Sequence, residues 1–308
     1  MIEVDEVTLH LVPLQSEPNL WKIEEKHRSE WTDEVKLRGL LLTYVDDIFI
    51  VAEEAVREKA LSKVMETWKT SPPDLVGEKP IKFLGMNISK VFDEEIKKEV
   101  WYVNQDSYIR DLLEKFDDPS RLIPISREQA LMEPDPQETI TPERVKQAQQ
   151  HVGELLWLVT RSRPDIMFSV ACMGANITKA PGKVSMVASQ CRGYLKSDVD
   201  GGLRFAPQDT SSMFTLEAFS DASFSPDGGP SHGCLVILLN GSAVFWRSGK
   251  QQLTTLSTAE CELVILAGVH LYGVVRSNVF FDSFSQDQKM RQTDPLPTVS
   301  FLVTAAWY

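Results

Sequence analysis

Two adjacent carboxylates, Asp46 and Asp47, sit between the apolar runs Leu40-Leu41-Leu42 and Ile48-Phe49-Ile50-Val51. Short runs rich in branched and aromatic side chains read as two strands of a hairpin, with the acids at its tip. Carboxylate oxygens fixed on short strands suit a hard divalent cation such as Mg²⁺. The same pair is also ordinary turn chemistry, because Asp tolerates left-handed backbone and caps its own turn. A second set is Asp221, Glu260 and Glu262. Asp221 ends the strand-like run Phe214-Thr215-Leu216-Glu217-Ala218-Phe219-Ser220, and both Glu fall in the first turn of an apolar helix that starts at Thr258. Residues two apart on a helix point about 200° apart, so only one of the two Glu can face Asp221. Carboxylates gathered there would bind the metal pair, about 3.5–4 Å apart, that clamps an in-line attack on a phosphodiester. Acids in a first helical turn are also favoured by the macrodipole, and Asp221 is able to cap a turn, so a purely structural role stays open.

Other chemistries find no footing. None of His10, His27, His151, His232 and His270 has metal-ligand spacing with a Cys or a second His. Gly201-Gly202 and Gly228-Gly229 precede no helix carrying Lys-Ser/Thr, so there is no phosphate loop. Ser257 has no His nearby in the sequence to activate it. Cys172, Cys191, Cys234 and Cys261 lie far apart without Cys-x-x-Cys spacing, which suits reduced, mostly buried thiols rather than zinc or disulfides. No apolar stretch approaches the roughly 20 residues needed to span a bilayer. The first residues, Met1-Ile2-Glu3-Val4-Asp5-Glu6, are acidic where a secretory signal is basic and then apolar, so an intracellular protein, cytoplasmic or nuclear, is expected.

The net charge of −12 opposes a nucleic-acid partner, since Lys and Arg supply the affinity for phosphates. Its distribution is uneven. Residues 1–35 carry nine acids and three bases, whereas Lys146 to Gln208 carries eight bases against four acids. That segment either presents a basic face or is simply a solvated helical surface.

The elements that must position these residues alternate in kind, and the fold class expected is α+β. After the Asp-Asp hairpin, apolar positions from Val51 to Trp68 recur at three and four, which predicts a helix over Glu53 to about Thr70, stopped by Ser71-Pro72-Pro73. Ile81 to Ile88 and Val100 to Val103 read as strands around the charged turn Asp93 to Glu99, with Gly85 marking a bulge or the close approach of another backbone. Asp106 caps a short helix, and Pro119, Pro124, Pro134, Pro136 and Pro142 mark a mobile connector over 117–142. Helices then follow from Pro142, with apolar positions through Val159 and an end at Arg161-Ser162-Arg163-Pro164, then over Asp165 to Thr178 and Lys183 to Leu195. From Phe214 the pattern is strand, strand, strand, helix, and Phe301 to Tyr308 reads as a last strand. Three segments are therefore expected: 1–104, 105–208 and 209–308.

The order of motifs resembles a known family. Leu41-Leu42-Thr43-Tyr44-Val45-Asp46-Asp47 is similar to the Tyr-x-Asp-Asp hairpin of reverse transcriptases, and Phe83-Leu84-Gly85-Met86 resembles the hairpin that grips the primer. Val152-Gly153-Glu154-Leu155-Leu156-Trp157-Leu158, Thr160-Arg161 and Arg163-Pro164-Asp165-Ile166 resemble the region between polymerase and ribonuclease H in copia-type LTR retrotransposon Pol polyproteins. Phe219-Ser220-Asp221-Ala222-Ser223, Trp246-Arg247-Ser248-Gly249-Lys250-Gln251 and Leu256-Ser257-Thr258-Ala259-Glu260-Cys261-Glu262 resemble the ribonuclease H domain of that family.

The resemblance implies a truncated reverse transcriptase palm over 1–104, a helical thumb or connection over 105–208, and an incomplete ribonuclease H-like domain over 209–308. It implies Mg²⁺ or Mn²⁺ held by Asp46 and Asp47, and by Asp221 with Glu262, Glu260 being the alternate. It further implies an RNA–DNA hybrid or primer-template contacted through Tyr44, Arg161, Arg163 and Lys250, and a primer grip at Phe83, Leu84 and Gly85. The pattern departs from the family in two places: a third polymerase aspartate, with the fingers, would lie in polyprotein segments before Met1, and Phe301 to Tyr308 holds no acid where the nuclease needs another Asp. Both sites read as incomplete, and little or no activity is expected of the isolated chain. A non-catalytic remnant that only binds nucleic acid is the alternative.

Overall fold

The computed structural model describes residues 2–4, 7–28, 33–77, 79–130, 133–207, 215–225, 228–269 and 300–305. It is α+β with antiparallel sheets and falls into two compact units, one built on residues 1–101 and the other on 102–206 with 214–274. Among the described residues no helix is long and apolar enough to cross a membrane.

In the first unit, strands β1 (Ile2–Val4), β2 (Val7–Pro13), β3 (Leu20–Arg28), β4 (Asp33–Tyr44) and β5 (Asp47–Ala52) pair in sequence order, each antiparallel to the next. Alternate residues of β5, Ile48, Ile50 and Ala52, are buried, as a strand with one covered face requires. Helix α1 (Glu54–Thr67) lays Val56, Ala60 and Val64 on them, with Leu9, Ile23 and Leu41 completing the core. It ends three residues before the expected Thr70, because Trp68 is already extended; Met65 and Trp68 lie outside the core. The short β6 (Asp74–Leu75) leads to β7 (Ile81–Phe83), β8 (Met86–Asp93) and β9 (Lys98–Asn104). Gly85 is no bulge. Leu84 and Gly85, at φ 51° and 75°, make a two-residue hairpin turn closed by Phe83 opposite Met86, whose left-handed backbone matches the twist of paired strands.

The second unit joins the helices to the later strands. Helix α2 (Asp106–Leu113) starts after Gln105, not at a capping Asp106; the Gln105 amide oxygen accepts a hydrogen bond from Ser162 Oγ at 2.8 Å instead. After the four-residue α3 (Arg127–Ala130) comes α4 (Pro142–Val159), capped by Thr141, whose hydroxyl accepts from the Arg144 amide. A 3₁₀ turn over Pro164–Ile166 leads into α5 (Met167–Gly174), and α6 (Pro181–Ser197) closes a core of Leu155, Leu158, Met173, Val184, Val187 and Leu195. The strand β10 (Gly202–Phe205) follows.

The connector before α4 is not loose over its first part. Asp118 binds Arg192 Nε and Ser189 Oγ, both at 2.5 Å, the Arg121 amide donates to the Gly193 carbonyl at 3.0 Å, and Ser197 Oγ donates to the Arg121 carbonyl at 3.0 Å. Proline composition could not reveal this, since the bonds are made by carbonyls and by side chains some 70 residues away.

Strands β11 (Leu216–Ser223), β12 (His232–Leu239) and β13 (Ser242–Lys250) form an antiparallel meander, and α7 (Thr258–Val269) packs on β11 and β12. The Trp246 indole donates to the Val159 carbonyl at 2.6 Å, satisfying one of the free carbonyls at the end of α4. The helices and the meander fall in the same compact unit. The last strand, β14 (Ser300–Ala305), pairs antiparallel with β5 and does not extend the meander, contrary to its expected place in the C-terminal segment. Residues 306–308 of the expected strand lie outside the described residues.

Candidate functional site

Asp46 and Asp47 sit at the β4–β5 hairpin as expected. Tyr44 opposes Asp47, leaving Val45 and Asp46 as a two-residue turn. Val45 has φ 55°, left-handed backbone that a β-branched residue rarely adopts, and it is 85% exposed, so no side-chain packing holds it there. Strain of this kind concentrates at functional turns. Burial raises the Asp47 carboxyl above the usual carboxylate range, and the neighbouring Asp46 charge adds to the shift. A divalent cation would relieve that repulsion, and paired carboxylate oxygens are the donors Mg²⁺ takes. Tyr44 is exposed beside them. Phe83 is buried and stacks on Phe49 of β5, with ring centroids 4.9 Å apart, so it braces the strand that carries Asp47. Of the expected primer grip, Leu84 and Gly85 form the turn and Phe83 belongs to the core.

At the second site the two glutamates separate. Glu262 Oε1 accepts from the backbone amide of Ala222, next to Asp221, at 3.2 Å. Glu260 turns back on its own helix: its carboxylate accepts from the Leu256 amide at 2.6 Å, while its amide donates to Ser257 Oγ at 3.2 Å. That is a capping box shifted by one residue, the carboxylate taking the amide before Ser257 rather than that of Ser257, and Glu260 is thereby corrected from a candidate ligand to a cap. Strand register shows how Asp221 is aimed. It stands opposite Cys234, itself opposite Ser248, and two residues along lies the row Ser223, His232, Lys250. With side chains alternating, all six share one face of the meander. A Cβ on Gly233 would meet Ile265 Cδ1 at 2.9 Å, so α7 covers the other face. Glu262 therefore comes round from the α7 side to meet β11 at its backbone, and Asp221 projects from the opposite side.

Cys234 registers both acids. Burial pushes its thiol up, the Asp221 charge pushes it further, and Glu262 contributes as well. Cys234 and His232 were not singled out in the sequence; only the register places them beside Asp221. Lys250 lines the same cleft as Asp221, His232 and Cys234. Among the described residues, no three His, Cys, Asp or Glu side chains gather as a metal-binding group.

The basic segment presents less charge than its composition suggests. Arg163, expected on a nucleic-acid face, is 1% exposed, bound bidentately to Asp165 at 2.7–3.2 Å and to the Asp198 carbonyl at 2.6 Å. It is a core ion pair and is removed from the candidate contacts. Arg192 is likewise buried against Asp118. Arg161 is half-buried, its guanidinium 3.7 Å from the Trp157 ring centroid.

No protein family and no solved structure matches the chain. Over 118 residues, 38% of this chain and 81% of the relative, it is 29% identical to the secreted RxLR effector protein 161 of Plasmopara viticola.

Proposed function

We propose that this chain is the C-terminal part of a copia-type retrotransposon Pol polyprotein, a reverse transcriptase palm and helical connection followed by a ribonuclease H-like region, working inside the cell on an RNA–DNA hybrid or primer-template. The observation that carries the reading is the hydrogen bond from the Ala222 amide to Glu262, which brings an acid of α7 to the strand residue next to Asp221, 41 residues earlier in the chain. The strained Val45 turn beside Asp46 and Asp47 supports the polymerase half. Each pair offers carboxylate oxygens, the donor type Mg²⁺ or Mn²⁺ takes, and a bound metal would polarise a phosphoryl oxygen and lower the pKa of an attacking water or hydroxyl. Asp221, on the cleft face, and Glu262, held by the Ala222 amide, would fix the metal against β11; Asp46 and Asp47 would do so at the hairpin tip. Two carboxylates per site is a thin ligand set, so the isolated chain binds metal weakly and turns over little hybrid.

The test separates binding from turnover. Mn²⁺ binding followed by electron paramagnetic resonance should weaken at least fivefold in Glu262→Gln and in Asp221→Asn, and stay unchanged in Glu260→Gln. Hybrid incubated with Mg²⁺ or Mn²⁺ and nucleotides should show no RNA cleavage or extension above the Asp221→Asn and Asp46→Asn controls. If Glu262→Gln leaves Mn²⁺ binding intact, the nuclease-like reading is lost; extension or cleavage abolished in the controls would show the chain to be active. The alternative, a remnant that only binds nucleic acid, is weakened by the burial of Arg163 and Arg192.

A further inference from the structure

Between α5 and the meander lies a cleft of about 590 Å³ whose lining is mostly apolar. Its helix wall is the stripe Phe168, Ala171, Cys172 and Ala175, spaced i, i+3, i+4, i+7 on one face of α5 and its cap. Its floor is the meander face that carries Asp221 and Lys250. Alanine and cysteine side chains are too short to fill the layer between a helix and a sheet, so a slot remains with two nearly flat walls. At one end the Phe168 ring is 42% exposed, held edge-on by His232 at 5.1 Å between centroids, with His232 Nε2 in turn 2.9 Å from Ser248 Oγ.

Polar groups stand at the two sides of the floor. Asp221 is on β11 and Lys250 on β13, two strand spacings and one two-residue step apart, which puts their backbones about 12 Å from each other. The slot therefore asks for a flat apolar body, a hydrogen-bond donor at the edge that meets a carboxylate, and an anion at the far side. A plain anion would be repelled by Asp221 and by Glu128, which also lines the cleft, and a plain cation by Lys250. We propose that the slot binds a purine nucleotide, its ring against Phe168 and the alanine wall, its amino edge on Asp221 and its phosphate at Lys250. The ligand is either a free nucleotide or an unpaired nucleotide of a strand; the chemistry recognised is the same. This goes beyond the metal reading and does not rest on it.

The experiment uses the full chain in EDTA, so that failure of the metal proposal leaves it untouched. AMP, GMP, adenosine and ribose 5-phosphate are titrated by calorimetry and by saturation-transfer NMR. AMP or GMP should bind, and ribose 5-phosphate should bind at least tenfold more weakly. Lys250→Met should weaken AMP at least fivefold and leave adenosine unchanged, and Ala171→Phe should abolish both. Lys250→Met replaces a partly exposed side chain, so it decides the matter even if Ala171→Phe fails to fold. A hairpin oligonucleotide with one bulged adenosine binding more tightly than AMP assigns the slot to a strand, and the reverse order assigns it to the free nucleotide. Ribose 5-phosphate binding as well as AMP, equal AMP binding by Lys250→Met and the parent chain, or no binding of either nucleotide would overturn the proposal.

Discussion

Val45 is held in a conformation that costs an L-residue about 1–2 kcal/mol, and it is almost fully exposed. Glycine removes that cost and adds back about 0.5–1 kcal/mol through its freer unfolded chain. Val45→Gly should therefore stabilise the first unit by up to about 1.5 kcal/mol in urea unfolding; a loss of stability would mean the turn is not strained. The turn's strain was invisible in the sequence, because Tyr-Val-Asp-Asp permits several hairpin registers and only the Tyr44–Asp47 pairing forces Val45 left-handed. The roles of Glu260 and Glu262 were half legible. Their spacing showed that one alone faces Asp221, and Ser257-x-x-Glu260 is itself capping-box spacing, a signal that assigns Glu260 to the helix start. Glu260→Ala should lower stability by about 1 kcal/mol, as loss of a cap does. Arg163 was illegible for a different reason: net charge does not tell that its partner is Asp165, two residues on.

Among the elements, the strap from Asp118 to Pro124 depends on one close approach. A Cβ on Gly193 would stand 2.1 Å from the Pro119 carbonyl oxygen, and that oxygen is backbone. The strap or α6 must then shift, weakening the Arg121–Gly193 hydrogen bond and the Asp118–Arg192 ion pair together. Gly193→Ala should cost about 1–3 kcal/mol, the range for forcing atoms into a packed site. Limited proteolysis reads the same event locally: cutting near Arg121 should be slow in the parent chain and fast in the variant. Equal cutting rates would show that the strap is loose in both. The helices themselves were legible, since α4 begins at Pro142 as expected and ends at Val159, two residues before the expected stop at Arg161-Ser162-Arg163-Pro164. The strap was not, because a run of prolines reports that no helix forms and says nothing of what its carbonyls meet.

Two units in one chain should unfold as two events, and pH between 7.5 and 5.5 should move the transition of the second. In the second unit His151 is 4% exposed, in edge contact with Phe116, with Arg192 Nη1 3.4 Å from its Nδ1 and Glu154 at 3.9 Å. Burial lowers its pKa below the usual 6.5 and the Arg192 charge lowers it further, against the raising pull of Glu154 and Asp118. The unfolded chain thus takes up a proton near pH 6.5 while the folded unit still resists one, and protons favour unfolding as pH falls through that window. The contribution of neutral His151 is whole above pH 6.5 and shrinks as pH drops toward the folded value. Urea unfolding should show the second unit's transition moving to lower urea at pH 5.5, and His151→Gln flattening the dependence. Sequence alone separates the segments near residues 104 and 208; it does not reveal that helices and meander fall in one unit, because the ties, among them the Trp246 indole on a carbonyl 87 residues away and the Phe168–His232 edge contact, join residues far apart in the chain. These ties make a sharp outcome: the meander and the helices should melt together, so Trp246→Phe should shift both as one transition. A separate melting of the meander at neutral pH would show that these contacts do not couple them.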